Sequence, residues 1–416
     1  MIPLSSFRIV PNTTVDRSLT FGESAVRALE GALGDEIDLR TSFRIARSEI
    51  TTWPDYCPTP LVEMSGLARD LGVQQLLYKD EGWRFGLSSF KAMGGGYAVS
   101  RIVARYAMES THAANMTSKD LLSGRYSSAT SQVTVTCATD GNHGRSVAWA
   151  AREFGCKSVI YMASIVSPFR EQAMISLGAE VVRSQGNHED AAAECRAAAS
   201  ERGWFVVSET ENATEPAIAA DTLAGYATIM SEVAKRLPSG EPPTHVFVQA
   251  GVGGLAATSA VFCGLQWPQE RPRLVVVESD QADCILRSIE AGEPITVTGD
   301  LDTVMAGLAA GEVSSYAWSI LRTGADYAMA IPDEAAVATM QLLATPQSGD
   351  TPVVAGESGV ASLAAALLVL QNNAVREQLG ITRAARILTI GTEGATDPEV
   401  YRRLVGLSPE EVMRRT

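Results

Sequence analysis

Short runs rich in Val and Ile recur along this chain, and Ala-rich helical stretches separate them. The strand-like runs are Val133–Ala138, Ser158–Met162, Glu180–Arg183, Trp204–Ser208, His245–Ala250, Leu274–Glu278 and Arg386–Ile390. Between them lie the helical patterns Arg145–Phe154, Phe169–Leu177, Asp190–Glu201 and Thr222–Arg236. Strands that alternate with helices are joined by crossovers, so the sheets are expected to be mostly parallel. Near-continuous apolar strands imply sheets covered by helices on both faces. The expected fold class is therefore α/β, with open twisted sheets.

A chain of 416 residues is long for one domain and is expected to form two. The polar stretch Met108–Ser131 reads as an exposed loop or a bridge between structural units. Leu237–Thr244, rich in proline, reads as a connection back into a second sheet, and Pro346–Pro352 as a turn. No run of 18 uncharged apolar residues appears, so no membrane span is expected. Met1–Ser24 lacks a basic start followed by an apolar core, so no signal peptide is expected.

Lys+Arg is 34 against 48 for Asp+Glu, a net charge of −14. Such a surface repels phosphate backbones, which argues against nucleic acid as a partner. A bound phosphate would have to be held locally, by backbone amides. The six cysteines are scattered, with no C-x-x-C pair, which fits free thiols in a reducing cytoplasm and no metal site.

The chain has five lysines: Lys79, Lys91, Lys119, Lys157 and Lys235. Arginine fills nearly every other basic position, so lysine is expected where a guanidinium cannot substitute. An amine nucleophile is such a place. Lys91 follows Ser88-Ser89-Phe90 and precedes Ala92-Met93 and Gly94-Gly95-Gly96, at the head of the helical pattern Tyr97–Tyr106. An apolar setting lowers a lysine pKa and frees its lone pair. On residues alone, a lysine that snorkels from a helix start stays an open alternative.

Three further turns each follow a strand. Cys137-Ala138-Thr139-Asp140-Gly141-Asn142-His143-Gly144 collects Asp, Asn and His at a strand's carboxyl end, where α/β folds bind ligands. Gln249-Ala250-Gly251-Val252-Gly253-Gly254-Leu255 opens the pattern Leu255–Leu265, and its glycines free amides that could cradle a phosphate. Close helix–strand packing would also explain those glycines. Ile390-Gly391-Thr392-Glu393-Gly394-Ala395-Thr396-Asp397 offers a neutral hydroxyl at Thr392, while Thr396 or Asp397 could cap the helix Pro398–Val405.

Taken together, Ser89-Phe90-Lys91, Asp140-Gly141-Asn142-His143-Gly144 and Gly251-Val252-Gly253-Gly254-Leu255 resemble, in that order, the fold-type II pyridoxal-phosphate (PLP) enzymes. Within that group the chain most resembles the diaminopropionate ammonia-lyases. The residues that carry this include Lys79-Asp80-Glu81, Arg84-Phe85-Gly86-Leu87, Met305-Ala306-Gly307-Leu308, Gly356-Glu357-Ser358-Gly359 and Thr392-Glu393-Gly394. The resemblance spans about Thr59 to Tyr401.

It implies PLP as cofactor and an amino acid as substrate. Lys91, preceded by Phe90, would hold PLP as a Schiff base and shuttle the α-proton on one face. Asn142 would meet the cofactor's 3-hydroxyl. Gly251, Val252, Gly253, Gly254 and Leu255 would hold the phosphate, and Thr392 would lie near the pyridine nitrogen. Asp140 would act as acid/base on the other face, and Glu209 would stand where the ammonia-lyases carry an aspartate. The implied reaction is an α,β-elimination giving pyruvate and ammonia. The implied architecture is a small domain over 131–212, a large one over 1–130 and 213–416, PLP between them, and a homodimer.

The segment Ser208–Pro216 departs from the ammonia-lyases, lacking their aromatic residues, and Gly391 replaces their serine. That departure fits a β-amine larger than ammonia as leaving group. A serine/threonine dehydratase is disfavoured by Asp140, where that class carries serine. A protein that binds PLP or an amino acid without turnover is disfavoured by Lys91 and Asp140 together. No G-x-G-x-x-G follows an N-terminal strand, which argues against a dinucleotide-binding protein.

Overall fold

The structure, a computed structural model, describes residues 2–3, 6–33, 37–139, 141–208, 216–238 and 240–415. Among these residues the strands are β1 (Arg8–Pro11), β2 (Leu61–Glu63), β3 (Gln75–Asp80), β4 (Thr134–Ala138), β5 (Lys157–Met162), β6 (Glu180–Arg183), β7 (Phe205–Val206), β8 (His245–Gln249), β9 (Arg273–Ser279), β10 (Tyr327–Ile331) and β11 (Arg386–Gly391).

They form two sheets. The larger has the order β1-β10-β9-β8-β11-β3-β2 and the smaller β6-β5-β4-β7. Every pairing in the smaller sheet is parallel. In the larger, β10 to β3 run parallel and the edge strands β1 and β2 pair antiparallel. The expected mostly parallel α/β fold is what forms. Burial explains the sequence pattern: all five residues of β8 are buried, as are all six of β3. The Ala/Leu helix Ala361–Leu370 is buried along its whole length, so it has no polar face to show.

By internal packing the chain divides into two units. One comprises Met1–Ala32, Pro58–Ser89 and Met230–Thr416, and the other Leu33–Cys57 and Phe90–Ile229. The second contains the 131–212 segment and extends beyond it. Two packings tie the segments 33–57 and 90–130 to it. The helix Lys91–Thr111 meets the helix Asn142–Phe154 so closely that a Cβ at Gly95 would fall 2.4 Å from Ser146 Oγ. Trp53 then packs on Trp149 and Phe154, with ring centroids 5.8 and 5.3 Å away.

Met108–Ser131 is more ordered than a loop. Its first residues finish the helix Lys91–Thr111, and the short helices Ser118–Leu122 and Ser127–Thr130 follow. Thr117 and Asp120 form a reciprocal capping box that starts the first of these. All six cysteines are free thiols. Among the described residues no helix is long and apolar enough to cross a membrane.

Candidate active site

Lys91 is the first residue of its helix and is half-buried. Its Nζ lies 5.0 Å from the centroid of the Phe90 ring, and that ring packs on Tyr226 at 4.9 Å. The three glycines that follow allow tight packing. A Cβ at Gly94 would fall 2.5 Å from Tyr226, and one at Gly96 would fall 3.0 Å from Trp149. Ala92 to Ser100 are all buried, so the amine emerges from an apolar helix start.

In the same unit, the turn after β4 is set by Thr139, whose Oγ1 accepts from the Gly141 amide at 3.1 Å. Asn142 is the first residue of the next helix and is half-buried. His143 Nε2 donates to the Val207 carbonyl at 2.7 Å, which ties this turn to the end of β7. A Cβ at Gly144 would fall 2.4 Å from Thr139 Cγ2 and 3.0 Å from Met174 Sδ, so the helix can start here only without a side chain at that position. The Arg170 guanidinium lies near Gly141, with Nη1 3.7 Å from where a Cβ would stand. Asp140 and Glu209 lie outside the described residues.

The other unit holds the Gly251–Leu255 turn and Thr392, at the carboxyl ends of the neighbouring strands β8 and β11. Gly253 has φ +98°, and its Cβ position is 2.9 Å from Ala317. A Cβ at Gly251 would press on the Gly307 carbonyl at 3.2 Å. The helix Gly254–Gln266 starts without a side-chain cap. Among the described residues, the amides of Gly254, Leu255 and Ala256 have no backbone acceptor. Ser314 pins the turn from behind, donating to the Val252 carbonyl through its amide at 3.0 Å and its Oγ at 3.1 Å.

Thr392 is buried and its Oγ1 lies 2.7 Å from Gln249 Nε2. Gln249 Oε1 is buried with no partner among the described residues, an acceptor of the kind a bound group or water completes. Gln249 stands in the turn that the sequence singles out but has no role assigned there. Its signal was a polar side chain directly after the apolar Val246–Val248.

A family model described as "Pyridoxal-phosphate dependent enzyme" matches residues 52–392. The chain belongs to the pyridoxal-phosphate dependent enzymes. It is 36% identical over 371 residues to diaminopropionate ammonia-lyase from Escherichia coli K12, covering 88% of this chain and 92% of that one. Among solved structures it resembles the E. coli diaminopropionate ammonia-lyase in complex with D-serine, with TM-score 0.83 and 32% identity, covering 96% of this chain and 97% of that one. It also resembles that enzyme with an aminoacrylate-PLP azomethine reaction intermediate, with TM-score 0.81 and 32% identity over the same shares of the two chains.

The residues present fit PLP. The Gly251–Leu255 turn combines amides without a backbone acceptor among the described residues, a helix N-terminus, and glycines at 251 and 253 where a Cβ would press on Gly307 and Ala317. Such a set suits a phosphate held without any basic side chain, as an acidic chain requires. Each unit also carries a group of the kind PLP calls for, an amine at Lys91 in one and a hydroxyl rather than a carboxylate at Thr392 in the other.

Proposed function

We propose that this protein is a PLP-dependent carbon–nitrogen lyase that carries out α,β-elimination on 2,3-diaminopropionate, giving pyruvate and ammonia. The observation that carries the reading is the 36% identity to an ammonia-lyase across 88% of the chain. The three glycine-rich turns and Lys91 support it.

Lys91 would hold PLP through Nζ and move the α-proton on one face. Gly251, Val252, Gly253, Gly254 and Leu255 would hold the phosphate through their backbone, Asn142 would orient the ring at its 3-hydroxyl, and Thr392 would lie near the ring nitrogen. Bound PLP supplies an electron sink for the charge left at Cα when the α-proton departs. The Cα electron pair then forms the Cα–Cβ double bond and the Cβ–N bond breaks. An amine leaves poorly unless protonated, so a donor must stand near Cβ. On the resemblance to the ammonia-lyases, Asp140 would fill that role and serve as base for the opposite α-proton, and Glu209 would take the part of their aspartate. The enamine set free takes up water to give pyruvate and a second ammonia. The free thiols support a reducing, cytoplasmic setting, and the resemblance to the ammonia-lyases supports a homodimer.

The test is pyruvate release from β-substituted alanines of both hands, with L-serine and L-threonine in parallel. Preferred turnover of 2,3-diaminopropionate supports the reading. Preferred turnover of L-serine or L-threonine makes the protein a dehydratase. Turnover confined to N-substituted diaminopropionates ties the departure at Ser208–Pro216 to a larger leaving group.

A further inference from the structure

The segment leading into Lys91 is held by a buried charge cluster that none of the roles above uses. Lys79 and Glu81 are 0% exposed, Arg84 1% and Glu232 5%. Arg84 forks onto Glu81, with Nε to Oε2 and Nη2 to Oε1 each at 2.8 Å. It also reaches Glu232 through Nη1 and Nη2, each at 2.9 Å. Lys79 Nζ lies 2.5 Å from Glu232 Oε2, and Thr59 accepts from the same amine through its carbonyl at 2.9 Å. Burial pushes the Glu81 carboxyl up, but Arg84, Lys79 and Thr59 outweigh it and hold it at about 2. Among the described residues, two cations thus face two carboxylates out of water. Stability alone does not account for such a cluster, because each buried ion costs several kcal/mol of desolvation. A two-sided fork onto Arg84 fixes geometry, which apolar packing would do less sharply.

What it fixes is an unusual backbone. Directly after Arg84, Phe85 has φ +49°, Gly86 +67° and Ser88 +53°. Left-handed non-glycine residues are strained and persist only where the surrounding structure holds them. Arg84 is one end. At the other, the Ser88 carbonyl accepts from the Gly394 amide at 2.9 Å, and Ser89 forms a β-bridge with Glu393. Phe90 and Lys91 follow at once.

We infer that Arg84, Glu81 and Glu232 are positioning residues, which hold the left-handed Phe85, Gly86 and Ser88 in the segment that leads into Lys91. This rests on Lys91 as the PLP-bearing residue. Glu232 is separated from Arg84 by 148 positions, so only the fold reveals the pair.

The test compares Glu232→Gln and Arg84→Lys with Leu343→Ala, a remote core truncation that destabilises without touching the cluster. Two quantities are read at a temperature where each variant is folded by circular dichroism. One is the rate at which PLP-stripped protein regains absorbance near about 410–430 nm on adding PLP, and the other is kcat and KM taken separately. Glu232→Gln and Arg84→Lys are expected to slow uptake and lower kcat about tenfold or more with KM within about threefold, while Leu343→Ala changes neither by more than about twofold. Folded cluster variants that match the wild type, or only track Leu343→Ala, overturn the inference. If Glu232→Gln does not fold, Arg84→Lys decides, since it keeps the charge and breaks the fork. Failure of both to fold makes the cluster a folding element and overturns the inference as well. Absorbance that persists in Lys91→Ala removes the underlying reading instead.

Discussion

Gln249 donates to Thr392 across two neighbouring parallel strands, with Nε2 2.7 Å from Oγ1. The direction is fixed by chemistry, because the same Nε2 lies 3.0 and 3.2 Å from the Ser358 and Gly359 carbonyls, which can only accept. Thr392 therefore receives a hydrogen bond on its oxygen and keeps its own proton to donate. Thr392→Val keeps the shape and removes the acceptor, and is expected to cost about 1–3 kcal/mol in urea unfolding. Thr392→Ser, which keeps the hydroxyl, is expected to stay within about 1 kcal/mol of the wild type. Equal losses for the two would show that the Gln249 bond is not what Thr392 contributes.

The glycine cradle makes a binding prediction. Gly253→Ala places a methyl at φ +98° and 2.9 Å from Ala317. It is expected to weaken PLP about tenfold or more, the equivalent of about 1.4 kcal/mol, as read by equilibrium titration of the stripped protein. Gly406→Ala shares a positive φ of +83° but meets open space, so it carries the strain without the cradle and should leave PLP affinity unchanged.

At Gly144 the clash is specific enough to be relieved. Gly144→Ala drives a methyl against Thr139 Cγ2 and should cost about 1–3 kcal/mol. Adding Thr139→Ser deletes that methyl while keeping the hydroxyl that accepts from the Gly141 amide. The double variant is expected to regain stability over Gly144→Ala, a positive coupling in a double-mutant cycle. Simple additivity would count against this account of the turn.

Glu278 gives a pH dependence with a definite sign. Burial pushes its carboxyl up to about 8, although the amides of Ile285 and Leu286, each at 2.8 Å, and Cys284 pull the other way. The folded value lies above the unfolded one, so the folded state binds more protons between about pH 4.5 and 8. The contribution of Glu278 is thus fully present below about pH 4.5 and lost as pH rises through about 8. Glu278→Gln cannot ionise, and its one amide oxygen can accept from only one of the two amides, a loss that does not change with pH. Its stability relative to the wild type should rise between pH 5 and 8.5 by more than about 1.4 kcal/mol, the worth of one pKa unit. A flat difference across that range would refute the assignment.

The ends of the binding turns were legible because each follows a continuous apolar run, and β4, β5, β8, β9 and β11 lie within a residue of where those runs place them. β3 was hidden by its own function: Lys79 and Asp80 close a wholly buried strand, and charge in an interior strand defeats a hydrophobic pattern. β10, with two alanines in five residues, is too weak a run to stand out. The helix head Lys91–Gly96 was obscured by three glycines, which oppose a helix on propensity and are tolerated because Tyr226, Ser146 and Trp149 press on them. Trp204–Ser208 shortened to Phe205–Val206. Within the candidate site, glycines, Lys91 and Thr392 could be read from local order. The partners of Gln249 and Glu232 could not, since they lie more than 100 positions away.

The central claim is the elimination itself, and one assay bears on it most directly. Purified protein reconstituted with PLP is given each enantiomer of 2,3-diaminopropionate, and pyruvate and ammonia are counted together. The account predicts two ammonia per pyruvate, with kcat/KM of about 10⁴ M⁻¹s⁻¹ or more on one enantiomer, and loss of turnover in Lys91→Ala. No pyruvate from either enantiomer, or turnover of L-serine or L-threonine exceeding that of diaminopropionate, would contradict it.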